Sequence, residues 1–137
     1  MLNRFTVYGT PRPQGSTKAF IPKGWKRAVI TTDNTKLKPW RQDVAAIASS
    51  EMNGQPPLEC AVSVRCSFYF LKPASAKKSI TDKITKPDID KLLRAILDSL
   101  TGICFRDDSQ VVHCEAHKWF CDKDERAEIE VRGLLRT

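Results

Sequence analysis

The sequence predicts a single mixed α/β (α+β) domain in which a small mixed sheet is flanked by two or three helices. A length of 137 residues suits one domain. Hydrophobic residues make up 41% and charged residues 28% of the chain, the balance of an ordinary folded protein. Segments with strand-like alternation are interspersed with segments of helical periodicity. No repeat or composition boundary divides the chain, so we treat residues 1–137 as one domain.

Alternating apolar and polar residues, or runs of β-branched and aromatic residues, predict four strands. These strands are expected at residues 4–8, 61–71, 111–120 and 128–135. The segment 61–71 is the clearest of the four, and we expect it near the centre of the sheet. A basic loop rich in proline and glycine covers residues 10–38, within which residues 28–31 are expected to form one arm of a hairpin.

Helical periodicity predicts two helices. Pro39 suits the first turn of one helix, which Asn53-Gly54, together with Pro56-Pro57, is expected to end. Its apolar face comprises Trp40, Val44, Ile47 and Ala48. The second helix covers residues 88–100 and ends at Gly102, a typical C-terminal cap. Its apolar stripe comprises Leu92, Leu93, Ile96, Leu97 and Leu100.

The charge balance favours a polyanionic partner, because 23 lysines and arginines outnumber 16 acidic residues and give a net charge of +7. Two basic loops, at residues 10–38 and 72–86, contain candidate DNA-binding side chains. These are Arg12, Lys18, Lys77, Lys78, Lys83 and Lys86. The same lysines equally suit an ordinary solvated surface. Trp25 could stack on a base or pack in the core.

The five cysteines form no C-x-x-C pair, and the N-terminus lacks the apolar run of a signal peptide. We therefore expect a protein of the reduced cytoplasm without a membrane span. Cys114, His117 and Cys121 have a spacing that could suggest zinc. Strand alternation argues against that site, because it places Cys114 and His117 on opposite faces. No local signature of Ser/His/Asp or Cys/His nucleophilic catalysis is present.

Two acidic segments carry the candidate chemistry. Asp88 and Asp90 stand at the start of the second helix, where aspartate is a good cap and the helix dipole favours a carboxylate by about 0.3 to 1 kcal/mol. Capping alone would therefore explain them. Asp108 follows Asp107 just before a strand, and the topology permits but does not require its convergence with the helix start. Three aspartates from two segments also match the hard oxygen ligands that Mg²⁺ prefers.

Arg94 lies one helical turn beyond Asp90 and could stabilise a phosphate. The alternative is an ion pair with Asp90 or Asp98, its neighbours four residues away in either direction. His113 is close to Asp108 in sequence and could touch the site, although a structural or surface role is commoner for such a histidine.

The run KPDIDKLLRAILDSLTG, followed by DDSQVV, resembles the RusA family of crossover (Holliday) junction endodeoxyribonucleases. That family has the signature D-x-D-N-L-x-K near a helix start and a later D-D-x-Q-V. The resemblance is dense over residues 86–112. Residues 7–16 are similar, more faintly, to the G-x-P-x-P-Q-G-S start of many phage and prophage members.

The resemblance implies a homodimeric, Mg²⁺-dependent enzyme that binds four-way DNA junctions and nicks two strands symmetrically in recombination and repair, with Mn²⁺ as a substitute ion. The family's metal-binding aspartates fall on Asp88, Asp90 and Asp108, and its catalytic lysine falls on Arg94. This chain departs from the pattern at Arg94 and at Lys91, where the family often has asparagine. Because arginine does not give up its proton, Arg94 suits phosphate stabilisation rather than proton transfer. Possible accessory residues are Asp107, Lys91 and Asp98.

Three other functions stay open at this point. The same scaffold could cut other branched DNA, such as forks or flaps. Alternatively, the aspartates could serve only as caps and salt-bridge partners in a non-catalytic DNA-binding protein. A protein-interaction module with an incidentally basic surface is the third alternative, and it predicts no salt-dependent DNA binding.

Overall fold

A computed structural model describes residues 2–15, 17–21, 23–24, 26–27, 29–32 and 35–135. In chain order its elements are β1 (Leu2–Tyr8), β2 (Thr17–Phe20), β3 (Val29–Thr32), α1 (Leu37–Met52), β4 (Ala61–Leu71), α2 (Ile89–Leu100), a short 3-10 turn (Asp108–Gln110), β5 (Val111–Cys121) and β6 (Arg126–Leu134). All four predicted sheet strands and both helices are present. Trp25, Ala28 and Ser16 lie outside the described residues.

The main sheet is mixed, with the strand order β1-β6-β4-β5. Strand β6 is antiparallel to both β1 and β4, whereas β4 and β5 are parallel. The predicted interior position of β4 is therefore confirmed. Helix α2 is the crossover between the two parallel strands, and it runs back from the end of β4 to the beginning of β5. Strands β2 and β3 form a separate hairpin, which confirms the predicted hairpin arm for its residues 29–31.

Both helices pack on one face of the sheet and bury its alternate side chains. Strand β4 contributes Val62, Val64, Cys66, Phe68 and Phe70 to this core. Helix α2 contributes Leu92, Ile96 and Leu100, while Leu93 and Leu97 from its predicted stripe are half-buried. The opposite face of the sheet is open and polar. There, ion pairs join Arg4 to Glu130 and Arg65 to Glu115.

Helix α1 differs from its prediction in two details. It begins at Leu37, before Pro39, and the buried stripe is Leu37, Trp40, Val44, Ala48 and Met52. The prediction that Ile47 belongs to the apolar face was wrong, because its side chain is 38% exposed. At 100° per residue, Ile47 falls at the margin of the stripe that runs through the other five positions. The helix ends at Asn53, whose φ of 48° places it in the left-handed region typical of a helix C-terminus.

All five cysteines are free thiols. Cys66 and Cys104 are buried, and burial raises the pKa of the Cys104 thiol to about 11 and that of Cys66 further still. Both thiols are therefore protonated near neutral pH and belong to the core. In the described part of the chain, no helix combines the length and apolarity needed to cross a membrane.

The two isoleucines Ile96 and Ile47 provide a matched test of the core. Ile96→Ala should lower the free energy of unfolding by about 2 to 5 kcal/mol, because Ile96 is fully buried. Ile47→Ala should change it by about 0.5 kcal/mol or little more, as at other surface positions. Urea unfolding of both variants measures the difference. Equal losses would contradict the packing of α1 and α2 described above.

Candidate metal and DNA site

The start of α2 carries two carboxylates that face solvent. Asp88 occupies the N-cap position with φ −71° and ψ 140°, but its side chain forms no capping hydrogen bond. Among the residues that the structure describes, only its backbone oxygen is engaged, accepting a 3.1 Å bond from the Leu92 N–H. Asp90 follows in the first turn and is exposed. The capping interpretation requires the Asp88 side chain to accept a hydrogen bond from a backbone N–H of the first helical turn. The side chain accepts no such bond.

The segment that leads into α2 is fastened to β5. The Lys118 ammonium donates hydrogen bonds to the backbone oxygens of Thr85 at 2.7 Å and Pro87 at 2.8 Å. Upstream, the Phe120 N–H donates to the Thr81 oxygen at 2.7 Å. Asp82 contacts His117, with 2.7 Å between Oδ1 and Nε2. The residues before Asp88 are therefore held along the outer strand of the sheet.

A second loop closes on α2 from the other side. The Gln14 N–H donates to the Lys91 backbone oxygen at 2.9 Å. Thr10 Oγ1 donates to Glu125 Oε1 at 2.6 Å, and the Gly9 N–H donates to the Glu125 backbone oxygen at 2.9 Å. Gly9 has a φ of 129°, which residues with side chains rarely adopt. These contacts place residues 10–15 beside the first turn of α2.

The two segments enclose a cleft of about 480 Å³ that Asp88 helps to line. Its cationic side chains are Arg12, Lys83, Lys86 and Lys91. The Lys83 ammonium lies 5.1 Å from the ring centre of Phe70 and 5.6 Å from that of Phe120. Burial, and then the neighbouring charge of Lys118, lowers the pKa of Lys83. Four cations beside a single carboxylate form an electropositive wall suited to phosphate groups.

A second cleft, about 560 Å³ in volume, lies on the open face of the sheet. Although it is larger, its charges are already paired, since Arg4 contacts Glu130 and Arg65 contacts Glu115. Neither acidic segment lines it. The electropositive cleft is therefore the better candidate for binding DNA.

Asp108 lies in a hydrogen-bonded turn before β5. The Gln110 side chain accepts hydrogen bonds from the Arg106 and Asp107 N–H groups at 2.9 Å and donates to the backbone oxygens of Leu58 and Cys60 at 2.8 and 2.9 Å. The Asp107 side chain accepts a hydrogen bond from the Ser109 hydroxyl at 2.6 Å and so stabilises the turn. Asp108 itself is exposed. The sequence did not single out Gln110 for a structural role, and its two acceptors, the backbone oxygens of Leu58 and Cys60, lie 52 and 50 residues away.

The structure brings Asp88 and Asp90 together but places Asp108 far from them. Asp88 adjoins Lys118 through Pro87, whereas Asp108 adjoins Val111 at the opposite end of β5. From Val111 to Lys118 a strand spans roughly 20 Å at about 3.3 Å per residue. The 12 residues of α2 span a similar distance, about 18 Å. Among the described residues, no three His, Cys, Asp or Glu side chains are grouped so that they could hold a metal ion.

The remaining candidate residues are Arg94, Asp98 and His113. Arg94 is exposed, and within the described ranges it forms no ion pair with Asp90 or Asp98, so that alternative is not realised. Asp98 is half-buried and lines another cleft with Lys38 and Arg41, away from the start of the helix. His113 hydrogen-bonds to Ser63 Oγ at 2.9 Å, a contact within the sheet.

The basic residues of the loops are also partly located. Lys77 and Lys78 are exposed. Lys18 lies in β2, but its side chain is outside the described part of the structure. Of the predicted DNA-binding residues whose side chains the structure describes, Arg12, Lys83 and Lys86 line the electropositive cleft, together with Lys91.

Comparison with known proteins agrees with the acidic motif. A family model described as Endodeoxyribonuclease RusA matches residues 5–132, a range that includes both acidic segments. The uncharacterized protein YqaN of Bacillus subtilis (strain 168) is 31% identical over 141 residues. That alignment covers 96% of this chain and 96% of YqaN.

Asp88→Ala tests whether this carboxylate acts as a helix cap. Because its side chain makes no capping bond, we expect the free energy of unfolding to change by less than about 0.5 kcal/mol, whereas loss of a true cap typically costs about 1 kcal/mol. Urea unfolding at high salt, which screens the helix dipole, makes the measurement. A loss of about 1 kcal/mol or more would indicate a capping role.

Proposed function

The chain belongs to the RusA endodeoxyribonuclease family, and on that premise we propose that it is a Mg²⁺-dependent enzyme that resolves four-way DNA junctions by paired nicks in recombination and repair. One observation carries the proposal. Asp88 stands at a helix start without capping it, next to Asp90, and opens onto an electropositive cleft. This places free carboxylate oxygens beside a surface suited to phosphate.

The donor set at the helix start fits a magnesium ion. Mg²⁺ is usually bound by one or two carboxylates and completes its octahedron with water and phosphate oxygens. Asp88 and Asp90 supply two such carboxylates, and both are solvent-exposed. When bound, the ion would activate a water molecule and neutralise charge on the phosphate. Mn²⁺, which accepts the same oxygen ligands, is expected to substitute.

The protein's own side chains would position the DNA backbone. Arg12, Lys86 and Lys91 would neutralise phosphates along the cleft, so binding should weaken steeply as salt rises. Arg94, exposed one turn beyond Asp90, would stabilise charge on the scissile phosphate through its guanidinium group. Because arginine stays protonated, proton transfer would fall to water or to another group.

The distant position of Asp108 gives the proposed homodimer a chemical role. If all three aspartates serve one metal site, Asp108 must come from a second copy of the chain, because in its own chain it lies at the far end of α2. Two copies related by a two-fold axis would then form two equivalent sites. Such a pair of sites matches the two equivalent strands of an open four-way junction.

Cleavage of a synthetic four-way junction tests this function. With Mg²⁺, the wild type should produce nicks at symmetric positions in two strands. Asp90→Asn should lower the rate by on the order of 100-fold or more, because loss of even an outer partner of a metal costs about 10- to 100-fold. Junction binding in EDTA should be retained. Asp43→Asn, which removes an exposed carboxylate on α1, is the matched control and should cut normally.

Other outcomes would select the competing functions. Faster cutting of forks or flaps than of four-way junctions would assign a different branched substrate. Salt-dependent junction binding without cleavage under any divalent ion would indicate a non-catalytic DNA-binding protein. Absence of salt-dependent binding to DNA would exclude both a nuclease and a DNA-binding protein, and would favour a protein-interaction module.

A further inference from the structure

We propose that Lys118 is a positioning residue for the metal-binding carboxylate of Asp88. The inference rests on the proposed function and adds to it a residue outside both acidic segments. Lys118 lies on β5, thirty positions after Asp88 in sequence, and its side chain reaches the backbone just before that residue. It would act through the backbone of Thr85 and Pro87 rather than by touching DNA or metal.

The contacts of the Lys118 ammonium define how the α2 start is fixed. It donates to the Thr85 oxygen at 2.7 Å and to the Pro87 oxygen at 2.8 Å. Hydrogen bonds from a charged donor are short and strong, so these two contacts clamp the residues on both sides of Lys86. The peptide carbonyl of Pro87 is bonded directly to the backbone nitrogen of Asp88. Movement at Pro87 would therefore displace the carboxylate as well.

The Asp88 side chain has no other visible anchor among the described residues. The side chain makes no capping bond, and within the described ranges the only hydrogen bond of Asp88 is the one that its backbone oxygen accepts from the Leu92 N–H. A side chain used as a metal ligand needs a fixed backbone origin, because small displacements weaken coordination. Lys118 supplies that support from β5, a strand of the main sheet.

The Lys118 side chain extends an attachment to β5 that backbone hydrogen bonds begin. Backbone bonds already hold residues 81–83 to β5, through Phe120 N–H to Thr81 and Lys83 N–H to the Lys118 oxygen. These bonds stop before Thr85. The side chain of Lys118 extends the attachment by two further contacts, up to the residue that precedes Asp88.

Four variants would test the proposal. Lys118→Met removes the donors while keeping most of the alkyl chain, and Lys118→Arg restores a cation with several donors. Lys123→Met, at an exposed turn position after β5, is the matched control for loss of one positive charge. Lys118→Gln keeps one donor group and carries the test if Lys118→Met does not fold. Each variant is compared with wild type in three measurements. These are Mn²⁺ binding to the free protein, junction affinity in EDTA, and the cleavage midpoint, which is the Mn²⁺ concentration that gives half-maximal cleavage.

Lys118→Met should weaken Mn²⁺ binding and raise the cleavage midpoint by about tenfold or more, the usual cost of losing a residue that orients a metal ligand. Junction affinity should equal that of Lys123→Met, and Lys118→Arg should recover most of the Mn²⁺ affinity. Hydrogen exchange in the free protein should accelerate at the Leu92 amide but not across β4 and β6. A uniform increase would indicate general destabilisation and would overturn the positioning role.

Two further results would also overturn it. Weaker junction binding with an unchanged Mn²⁺ midpoint would make Lys118 a DNA contact. If the wild type binds Mn²⁺ and cuts, but Lys118→Met behaves in the same way as Lys123→Met, then Lys118 has no positioning role. The proposed function would be unaffected by that result. A wild type that neither binds Mn²⁺ nor cuts would instead refute the proposed function and this inference together.

Discussion

Two neighbouring parallel strands, β4 and β5, must be joined by a connection that returns the chain along the length of the sheet. In this protein α2 makes that return and packs its buried stripe on the same strands. Its N-terminus therefore lies near the ends of β4 and β5, and its C-terminus near their beginnings. This constraint separates Asp88 and Asp90 from Asp108 by the length of the helix, although they stand only about twenty positions apart in sequence.

The same arrangement concentrates positive charge at one end of the domain. The loop at residues 10–15 and the segment at residues 81–87 both close on the start of α2, and each brings basic side chains with it. On the open face of the sheet, by contrast, arginines are matched by glutamates. Exposed pairs of this kind contribute little to stability, about 0.2 to 1 kcal/mol each, but they cancel the field of that surface. Positive charge is thus concentrated beside the carboxylates at the start of α2.

Much of this fold could be predicted from the sequence because its elements have clear periodicity. Residues 61–71 form β4 with the predicted bounds, and the stripe of α2 is buried where its spacing indicates. The placement of Ile47 failed because a residue at the margin of a stripe can face either way. Strand β2 was not predicted, since residues 17–20 lie in a loop rich in proline and glycine and gain strand geometry only by pairing with β3.

The sequence offers candidate site residues but not their geometry. The acidic motif names Asp88, Asp90 and Asp108 as candidates, yet the local pattern could not specify the end of α2 at which Asp108 lies. Whether Asp88 caps its helix depends on side-chain rotation, which sequence spacing does not determine. Gln110 and Lys118 stabilise the two acidic segments through backbone oxygens 31 to 52 residues away. Contacts of that kind leave no periodic signal in the sequence.

Mixing two inactive variants tests most directly whether the metal site is shared between two copies of the chain. Asp88→Asn and Asp108→Asn would be co-refolded and assayed on a labelled four-way junction with Mg²⁺. If each site takes Asp88 from one copy and Asp108 from the other, the mixed dimer regains one intact site and nicks one strand, whereas either variant alone is inactive. If the mixture stays inactive while mixed dimers are demonstrably present, the aspartates do not combine across the dimer and the account is contradicted.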